Sequence, residues 1–443
     1  MKRAVGFEEA SRLLDRQRAG SDYVLSPRLK QSLMAMFGVE TADEAVKIIL
    51  EEVRSGGDQA LFELGRKIDK VELRHLEIGV DEIKKAVSEV QPEVYSALKI
   101  AAAKIKEFHD AQRNAIPNKI EVNGCCQITM PLRRVGVYAP GGTASYPSTV
   151  LMTAIPARCA GVNEVVLATP PGKDGKIPAI TLAAAEIAGV DSVFAIGGAQ
   201  AIAALAYGTD TIKAVDKICG PGNIFVMLAK KQIFGTVDID GLQGPSEVLI
   251  IADEMSNPGF IADEILAQAE HDALAQSILV TTSATLADMV ESLLKEKLAD
   301  SNRAEITSHS IESVGIIAVI DTLEQAINLA NMYAPEHLVV DVRTADVDVK
   351  KFISAGCIFT GSHPTVPMGD YVSGPSHALP TSGTARFSSP LNVSDFIRCY
   401  NVVNVDENML RELGPSAIVI ARSEGLTAHA RAVENRLKSI GGI

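Results

Sequence analysis

Residues 164–196, EVVLATPPGKDGKIPAITLAAAEIAGVDSVFAI, decide the fold. Two short apolar runs, 164–168 and 193–196, have the length and composition of buried strands, and the Ala-rich run between them, 179–187, is typical of a helix. A strand–helix–strand unit of this kind joins parallel neighbours in one sheet. The same alternation continues on both sides, with helices predicted over 148–159, 199–207 and 223–234 and strands over 135–138 and 214–219.

A second alternating set follows towards the C-terminus. It consists of strands predicted over 248–251 and 278–281, helices over 260–269 and 286–298, and further strands near Ile316 and Val339. The sequence therefore predicts an α/β protein with two Rossmann-like doubly wound parallel-sheet domains, the second inserted in the first, and small helical extensions at both termini. We expect an N-terminal helical arm over 1–32, a main domain from 33–146 and 246–391, an inserted domain over 147–245, and a C-terminal tail and helix over 392–443.

The composition agrees with this fold. The chain has 443 residues, of which 47% are apolar and none is tryptophan, so its cores must be built from Ala, Val, Ile and Leu. Such cores are typical of buried parallel strands covered by helices. The six cysteines include no C-x-x-C pair and are expected to be reduced, small buried hydrophobes.

The net charge and the lengths of the apolar runs argue against two kinds of partner. A net charge of −13 argues against nucleic acid, whose phosphates require a basic surface. No apolar run reaches the ~18–20 residues that span a bilayer, and no apolar segment follows the basic residues at the N-terminus. We therefore expect a cytoplasmic protein with neither a membrane nor a nucleic acid as a partner.

A carboxylate and an imidazole are adjacent in residues 334–338, APEHL. Pro335 ends the preceding helix, because it lacks an N–H and fixes its own φ, and the apolar run 338–342 predicts a buried strand. Glu336 and His337 therefore lie at a loop-to-strand junction, where we expect their side chains to point in different directions. Two titratable groups on a stiff turn suit a reaction with two proton transfers. The alternative is a surface turn that carries two polar residues.

The other histidines differ in their surroundings. His75 and His109 lie in charged, helix-like segments and are expected at the surface. Gln268 and His271 are three residues apart near the end of a predicted helix, so an amide oxygen and an imidazole nitrogen face one spot, a pair that suits Zn²⁺ or Mn²⁺. Two further carboxylate–imidazole sets are Asp370 with His377, in a long glycine-rich loop, and Glu424 with His429.

The C-terminal segment predicts an amphipathic helix. Its apolar face is formed by Leu426, Ala430, Val433, Leu437 and Ile440, which recur at steps of three and four residues. We place His429 on this apolar face. There it is either a satisfied core histidine or a group that inserts into a site elsewhere, for example on a partner subunit.

Glycine turns lie where predicted strands lead into helices. Residues 197–200 (GGAQ) and 220–223 (GPGN) place small residues at helix N-termini, where free N–H groups and the helix dipole favour an anion, and 140–142 (PGG) after Tyr138 is similar. None of these turns fits the dinucleotide-binding pattern G-x-G-x-x-G, so a bound nucleotide would contact the sheet in a non-standard way. For each turn, the alternative is an ordinary tight turn. In 244–247 (GPSE), Ser246 is a candidate for bonding a substrate, but the G-x-S-x-G context of a serine hydrolase is missing.

Taken in order, these segments resemble the histidinol dehydrogenase family over nearly the whole chain. The resemblance rests on VYAPGG at 137–142, GGAQA at 197–201, GPGN at 220–223, GPSE at 244–247, QAEH at 268–271, APEHL at 334–338, GDY at 369–371, HALPT at 377–381 and LTAH at 426–429. It implies oxidation of L-histidinol to L-histidine in two steps, with two NAD⁺ and one Zn²⁺, as the last step of histidine biosynthesis. Ser376, where the family commonly has Asn, and the segment 363–368 depart from the usual pattern.

The resemblance also implies a role for each site residue. Glu336 and His337 would be the acid–base pair, with His337 accepting a proton at each hydride transfer and Glu336 activating water between them. Zinc would be held by Gln268, His271, Asp370 and His429, the last from the partner chain of an intertwined homodimer. NAD would contact Tyr138, Gln200 and Asn223 in the inserted domain. Histidinol would be bound in the main domain by Ser246, His377 and Glu424, together with His337 and the zinc ligands.

Three other interpretations remain open. A dihydroxypropanesulfonate dehydrogenase would share the zinc and NAD sites but bind a different substrate, and Glu424, Ser246 and His377 suit a cationic amine and an imidazole better than a sulfonate. A zinc hydrolase would use Glu336 as a base without NAD, which the glycine turns disfavour. A non-catalytic binding protein would not require every proposed catalytic position to be filled. NAD binding separates the dehydrogenases from the other two.

Overall fold

The structure is a computed structural model that describes residues 1–16, 25–141, 145–299, 303–343 and 346–441. Its strands are β1 Lys2–Val5, β2 Lys119–Val122, β3 Cys125–Pro131, β4 Arg134–Tyr138, β5 Glu164–Thr169, β6 Ser192–Ala195, β7 Lys217–Cys219, β8 Asp238–Ile239, β9 Glu247–Ala252, β10 Gln276–Thr281, β11 Ile316–Val319, β12 His337–Asp341, β13 Cys357–Phe359 and β14 Ile397–Val403.

The α-helices are α1 Phe7–Leu14, α2 Pro27–Phe37, α3 Ala42–Leu64, α4 Val80–Ser88, α5 Pro92–Ala115, α6 Pro147–Ala160, α7 Ala179–Ala188, α8 Gly198–Tyr207, α9 Ile224–Ile233, α10 Pro258–Ala269, α11 Ala284–Leu298, α12 Ala304–Ser313, α13 Leu323–Tyr333, α14 Val366–Tyr371, α15 Glu407–Ser423 and α16 Thr427–Ser439. A π-helix, Gly65–Asp69, follows α3. Short 3₁₀ helices occur at Val349–Lys351, Thr384–Arg386 and Val393–Phe396.

The chain divides into two compact units. The first comprises Met1–Arg113 and Leu132–Phe396, and the second comprises Asn114–Pro131 and Ile397–Ile443. Both predicted sets of alternating strands and helices lie in the first unit, and the helices and strands predicted between residues 148 and 298 are confirmed with ends that shift by a few residues.

The larger sheet of the first unit, sheet A, is parallel, with strand order β1-β11-β10-β9-β12-β13 among the described residues. Alternate residues of its strands face two separate cores. Leu249 and Leu338 pack with α1 and α13 on one face, whereas Val248 and Val339 pack with α10, α11 and α12 on the other. Sheet A is therefore the middle of three layers, which explains why its strands are apolar without alternation.

The second sheet of the first unit, sheet B, is also parallel, with the order β6-β5-β4-β7-β8. Helices α3, α8 and α9 cover one face, and α6 packs on β4 and β5 from the other. The strand order reverses direction between β4 and β7, which is where ligands bind in doubly wound sheets.

The mixed α/β class with parallel sheets is thus confirmed, whereas the predicted domain boundaries and the insertion of one domain in the other stay predictions. Sheet B extends from β4 to β8, on both sides of the boundary expected at residue 147. Residues 1–32 contribute an edge strand of sheet A, β1, in addition to helices.

The second unit combines an antiparallel sheet of order β14-β3-β2 with a helix pair. The predicted C-terminal helix is confirmed as α16, and its apolar residues Ala430 and Leu437 pack against Ile418 of α15. His429, however, is exposed, so its predicted place on the buried face is wrong. One position separates it from Ala430, and at 100° per residue that step moves a side chain off a narrow apolar face.

The prediction for His109 also fails. His109 of α5 is fully buried, and its Nδ1 lies 2.7 Å from the carbonyl oxygen of Ile105. Its surroundings in the sequence are charged, but it follows Ala101 and Ile105 at steps of four residues on the buried face of the helix. His75 is exposed, as predicted. In the described part of the chain, no helix is both long and apolar enough to cross a membrane.

Candidate active site

The Glu336–His337 pair lies at the amino end of sheet A. Helix α13 ends at Tyr333, and Ala334 adopts a left-handed conformation with φ 53° before Pro335. His337 is the first residue of β12, so the predicted loop-to-strand junction is confirmed. Residues 247–252 form the neighbouring strand, β9, which begins beside His337.

Both side chains of the pair contact the backbone of the same residue, Glu247. The backbone N–H of Glu247 donates to Oε2 of Glu336 at 2.8 Å, and Nδ1 of His337 lies 3.0 Å from the carbonyl oxygen of Glu247. Oε2 of Glu336 and Nδ1 of His337 are 3.6 Å apart. The expectation that the two side chains point in different directions is therefore wrong, because the backbone N–H and carbonyl group of Glu247 in β9 each bind one of them.

Burial and mutual charge shift both pKa values. Glu336 and His337 are 6% and 5% exposed. Burial raises the pKa of Glu336 to about 8, although the imidazole beside it opposes the shift. Burial alone would lower the pKa of His337, but the carboxylates of Glu336 and Asp370 outweigh it and raise the value to about 9. Both groups can thus exchange protons near neutral or mildly alkaline pH.

The second carboxylate–imidazole set adjoins the first. Oδ1 of Asp370, in α14, lies 3.5 Å from Nε2 of His337. Nδ1 of His377 lies 2.8 Å from the carbonyl oxygen of Asp370, and its Nε2 is 3.3 Å from the hydroxyl of Thr149. Burial would raise the pKa of Asp370, but the hydrogen bond from His337 and the nearby histidines lower it below its ordinary value. Asp370 is therefore ionised in this cluster.

Gln268 and His271 lie at the C-terminal end of α10. Gln268 is in the last turn and is buried, whereas His271 follows the end of the helix and is exposed. The backbone N–H of His271 donates to the carbonyl oxygen of Gln268 at 3.3 Å, so the turn continues past the helix end. His271 interacts electrostatically with Asp370 and His337. The structure thus brings His271, Asp370, His337 and His377 into one cluster.

Glu264 belongs to this cluster and was missed in the sequence. It accepts hydrogen bonds from the hydroxyl of Thr365 and from the backbone N–H of Val366, the latter at 3.1 Å, and so ties the start of α14 to α10. The available signal was its spacing of four and seven residues from Gln268 and His271, which places all three on one helix face. Burial raises the pKa of Glu264.

The donor set partly fits a zinc ion. An amide oxygen, an imidazole and a carboxylate are ligands that zinc accepts, and Gln268, His271 and Asp370 all lie in the first unit. Across the described residues, no group of three or more His, Cys, Asp and Glu side chains is arranged to hold a metal.

Glu424 and His429 belong to the second unit. Glu424 is the C-cap residue of α15, and His429 is in the first turn of α16. Both side chains are exposed and thus available to a ligand or to another chain. Ser246, in the first unit, is half-buried immediately before β9, and its carbonyl oxygen accepts from the backbone N–H of Gln276 at 2.9 Å.

The predicted nucleotide residues lie at the carboxyl end of sheet B. Tyr138 ends β4, and its hydroxyl accepts from the backbone N–H of Gly198, at the start of α8, at 3.1 Å. Burial raises the pKa of Tyr138 to about 12, so it remains protonated. Nε2 of Gln200 donates to Oδ2 of Asp69 at 3.0 Å. Asp69, from the π-helix, is a second residue that the sequence did not reveal.

Asn223 caps the neighbouring helix α9. Its Oδ1 accepts from the backbone N–H groups of Phe225 and Val226, at 3.0 and 3.2 Å. Gly220, before it, has φ 120°, and a Cβ there would lie 2.0 Å from the carbonyl oxygen of Tyr138. The turns after β4 and β7 therefore meet closely at the switch point of sheet B. Gly142, from the predicted PGG turn, lies outside the described residues.

Two parallel sheets, helix N-termini at the end of one and a buried carboxylate–imidazole pair at the end of the other, define an α/β enzyme. Comparison with known proteins specifies its class as an oxidoreductase. The family model described as histidinol dehydrogenase matches residues 35–437. The chain belongs to the histidinol dehydrogenase family.

Individual relatives agree with this family assignment. The chain is 52% identical over 438 residues to a histidinol dehydrogenase of Dehalococcoides mccartyi, covering 99% of this chain and 100% of the relative. It is 49% identical over 400 residues to that of Aquifex aeolicus, covering 90% and 93%. The crystal structure of histidinol dehydrogenase from Elizabethkingia anophelis superposes with a TM-score of 0.89 at 35% identity, covering 100% of this chain and 99% of that one.

Proposed function

We propose that this enzyme oxidises L-histidinol to L-histidine in two successive steps, each of which reduces one NAD⁺, and that it binds one Zn²⁺ per subunit. The contacts of the backbone N–H and carbonyl oxygen of Glu247 support this proposal most directly. They hold a carboxylate and an imidazole side by side and leave Nε2 of His337 directed towards Asp370 and the neighbouring histidines. Two proton-transfer groups at one substrate site are what an alcohol-to-acid oxidation requires.

The zinc would be held by Gln268, His271 and Asp370 of one subunit and by His429 of the partner subunit. When bound, the ion orients the imidazole and the amine of histidinol so that its alcohol faces the base. His377 and Ser246 would contact the substrate from the same subunit, together with His337 and the zinc ligands, and the exposed Glu424 would face the substrate amine.

The proton transfers follow from the tautomer of His337. Its Nδ1 faces a carbonyl oxygen, which only accepts, so a neutral ring carries its hydrogen on Nδ1 and its free lone pair on Nε2. Nε2 would accept the hydroxyl proton of histidinol as hydride passes to the first NAD⁺, and would then release that proton to solvent. Glu336 would remove a proton from the water that adds to the aldehyde. Nε2, neutral again, would accept a proton from the hydrate as hydride passes to the second NAD⁺.

NAD would bind at the carboxyl end of sheet B. The N-termini of α8 and α9 both lie at this end of the sheet, and their positive dipole ends favour the pyrophosphate. Tyr138, Gln200 and Asn223 would contact the cofactor from three different turns. The fingerprint G-x-G-x-x-G is missing, so these contacts replace the usual phosphate loop.

A homodimer would complete the site. The strands of the second unit expose apolar side chains, among them Ile120, Val122, Tyr400 and Val403. Ile120, Val122 and Val403 lie on one face of this sheet, and an exposed apolar face suits contact with another subunit. We place the enzyme in the cytoplasm, in histidine biosynthesis, with no nucleic-acid or membrane partner.

The stoichiometry of NADH formation tests the function. Purified protein is mixed with a limiting amount of L-histidinol and excess NAD⁺, with and without a zinc chelator. We expect two NADH per histidinol, and loss of the activity on chelation that returns with added Zn²⁺. A single NADH would contradict the second oxidation. No NADH from histidinol, but NADH from dihydroxypropanesulfonate, would replace the substrate assignment.

A further inference from the structure

Resting on the proposed function, we propose that Arg16 is a positioning residue for the Glu336–His337 pair, acting through Glu247. Arg16 lies more than 300 positions from the pair in the sequence and precedes the segment matched by the family model, which begins at residue 35. We call the two side chains of Arg16 and Glu247 the Arg16–Glu247 clamp.

The clamp is a bidentate ion pair. Nη1 and Nη2 of Arg16 donate to Oε1 and Oε2 of Glu247 at 2.6 and 2.5 Å. The Glu247 side chain is 2% exposed and that of Arg16 is 22% exposed. A parallel fork of two charge-assisted hydrogen bonds fixes orientation as well as distance, which a lysine at this position would not do.

Arg16 also holds the turn that carries the pair. Its Nε donates to the carbonyl oxygen of Tyr333 at 2.7 Å, and its guanidinium lies 3.7 Å above the centre of the Tyr333 ring. Tyr333 ends α13, three residues before Glu336. One guanidinium therefore anchors both the first residue of β9 and the end of the helix that leads into β12.

The backbone of Glu247 transmits this anchoring to the pair. Its N–H holds the Glu336 carboxylate, and its carbonyl oxygen holds Nδ1 of His337. If Arg16 were absent, the buried Glu247 carboxylate would keep only a backbone hydrogen bond from Ser382 among the contacts described for it, and its charge would be uncompensated. The side chain would then reorient or be protonated, and the Glu247 backbone, whose N–H and carbonyl group orient the pair, would move with it.

The main test compares Arg16→Met and Arg16→Lys with Arg343→Met as a matched control. Arg343 also pairs with a buried carboxylate, Asp341, but at the opposite end of β12. We expect Arg16→Met to lower kcat on the order of 100-fold, since misplacing a catalytic group by about 1 Å costs that much, while KM for histidinol changes less than threefold. Arg16→Lys should recover part of kcat, and millimolar guanidinium should partly rescue Arg16→Met.

Arg343→Met should lose stability but keep kcat within twofold of wild type, and guanidinium should not change the kcat of this variant. A kcat within twofold of wild type for Arg16→Met would overturn the proposal. So would equal losses of kcat in Arg16→Met and Arg343→Met with no response to guanidinium, since that pattern indicates general destabilisation.

Two further measurements separate the clamp from general destabilisation and from an inactive wild type. In Glu247→Gln, a further Arg16→Met substitution should cost less in kcat than it costs in wild type, because the ion pair is already lost and only the Tyr333 contacts remain; a full additional loss would contradict the clamp. Nitrogen-15 spectra of labelled histidine, recorded at a pH above the pKa of His337 and assigned with His337→Gln, should show an Nδ1-protonated neutral ring in wild type and a tautomer mixture in Arg16→Met. An unchanged tautomer overturns the proposal. Wild type without NADH formation but with the tautomer shift would reject the function and not the clamp.

Discussion

The two parallel sheets of the first unit present opposite ends to their proposed ligands. Sheet B uses its carboxyl end, where the turns after β4, β6 and β7 meet and where α8 and α9 begin. Sheet A uses its amino end, where β9 and β12 begin and where α10 and α13 end. The same strand–helix alternation thus provides two chemically different edges.

The difference has an electrostatic consequence. Helix N-termini concentrate free N–H groups and partial positive charge, which suits the phosphates of NAD. Helix C-termini present carbonyl oxygens and partial negative charge, which suits Zn²⁺ and the cationic amine of histidinol. Under the proposed function, the usual rule that ligands bind at the carboxyl ends of parallel strands applies to sheet B alone. At sheet A, the half-buried carboxylate of Asp370, whose pKa is lowered, adds to the negative edge.

The largest expected effect lies at the amino end of sheet A. His337→Gln should lower kcat by about 10²–10⁴-fold, because proton transfer by a positioned side chain contributes that much. Binding of NAD at the other sheet should be unchanged in the same variant, as measured by fluorescence or calorimetric titration. His363→Gln removes an exposed histidine and serves as the control. Equal kcat values for the two variants would contradict the proposed base.

The next largest effect is expected on zinc affinity, when a residue that is not itself a proposed zinc ligand is substituted. Glu264→Gln weakens the link between α10 and α14, which carry Gln268 and Asp370. Loss of such outer contacts costs about 10–100-fold in metal affinity. Competition with a chromogenic chelator measures this without reference to activity. Glu291→Gln, on α11 and half-buried, is the matched control, and identical affinities for both would count against the role of Glu264.

The pH dependence should also report on sheet A. His337 must be neutral to accept a proton, and its pKa is raised to about 9, so the protonated, inactive form prevails at neutral pH. The rate should therefore increase up to tenfold per pH unit from pH 6 and level off near pH 9. The initial rate of NADH formation at saturating substrates measures it. A profile that is flat between about pH 6 and 9 would contradict the assignment of the base.

The smallest effect is expected at sheet B. Asn223→Ala removes the N-cap of α9, which costs about 1 kcal/mol of stability, and should raise KM for NAD⁺ several-fold without changing KM for histidinol. Ser283→Ala removes the N-cap of α11, remote from the nucleotide turns in sequence, and should cost similar stability with no change in either KM. Thermal unfolding and steady-state kinetics of both variants test the distinction. If both raise KM for NAD⁺ equally, Asn223 acts only as a cap.

Much of this architecture was predictable from the sequence. Local periodicity located the helices and strands between residues 148 and 298, and it placed Glu336 and His337 where a helix gives way to a strand. Ordered short motifs identified the histidinol dehydrogenase family, which the comparisons confirm. These inferences succeed because each depends on neighbours within about one helical turn or one strand, and such neighbours are fixed by the chain itself.

Tertiary structure alone decided the contacts between distant segments. The pairing of β3 with β14, the burial of His109 and the bonds from Glu264 to α14 all depend on how faces pack, which residue spacing only suggests. The meeting of Arg16, Glu247 and the Glu336–His337 pair joins segments from the N-terminus, the middle and the last third of the chain. No local pattern marks it, because a side chain's partner across a sheet is set by strand order and register.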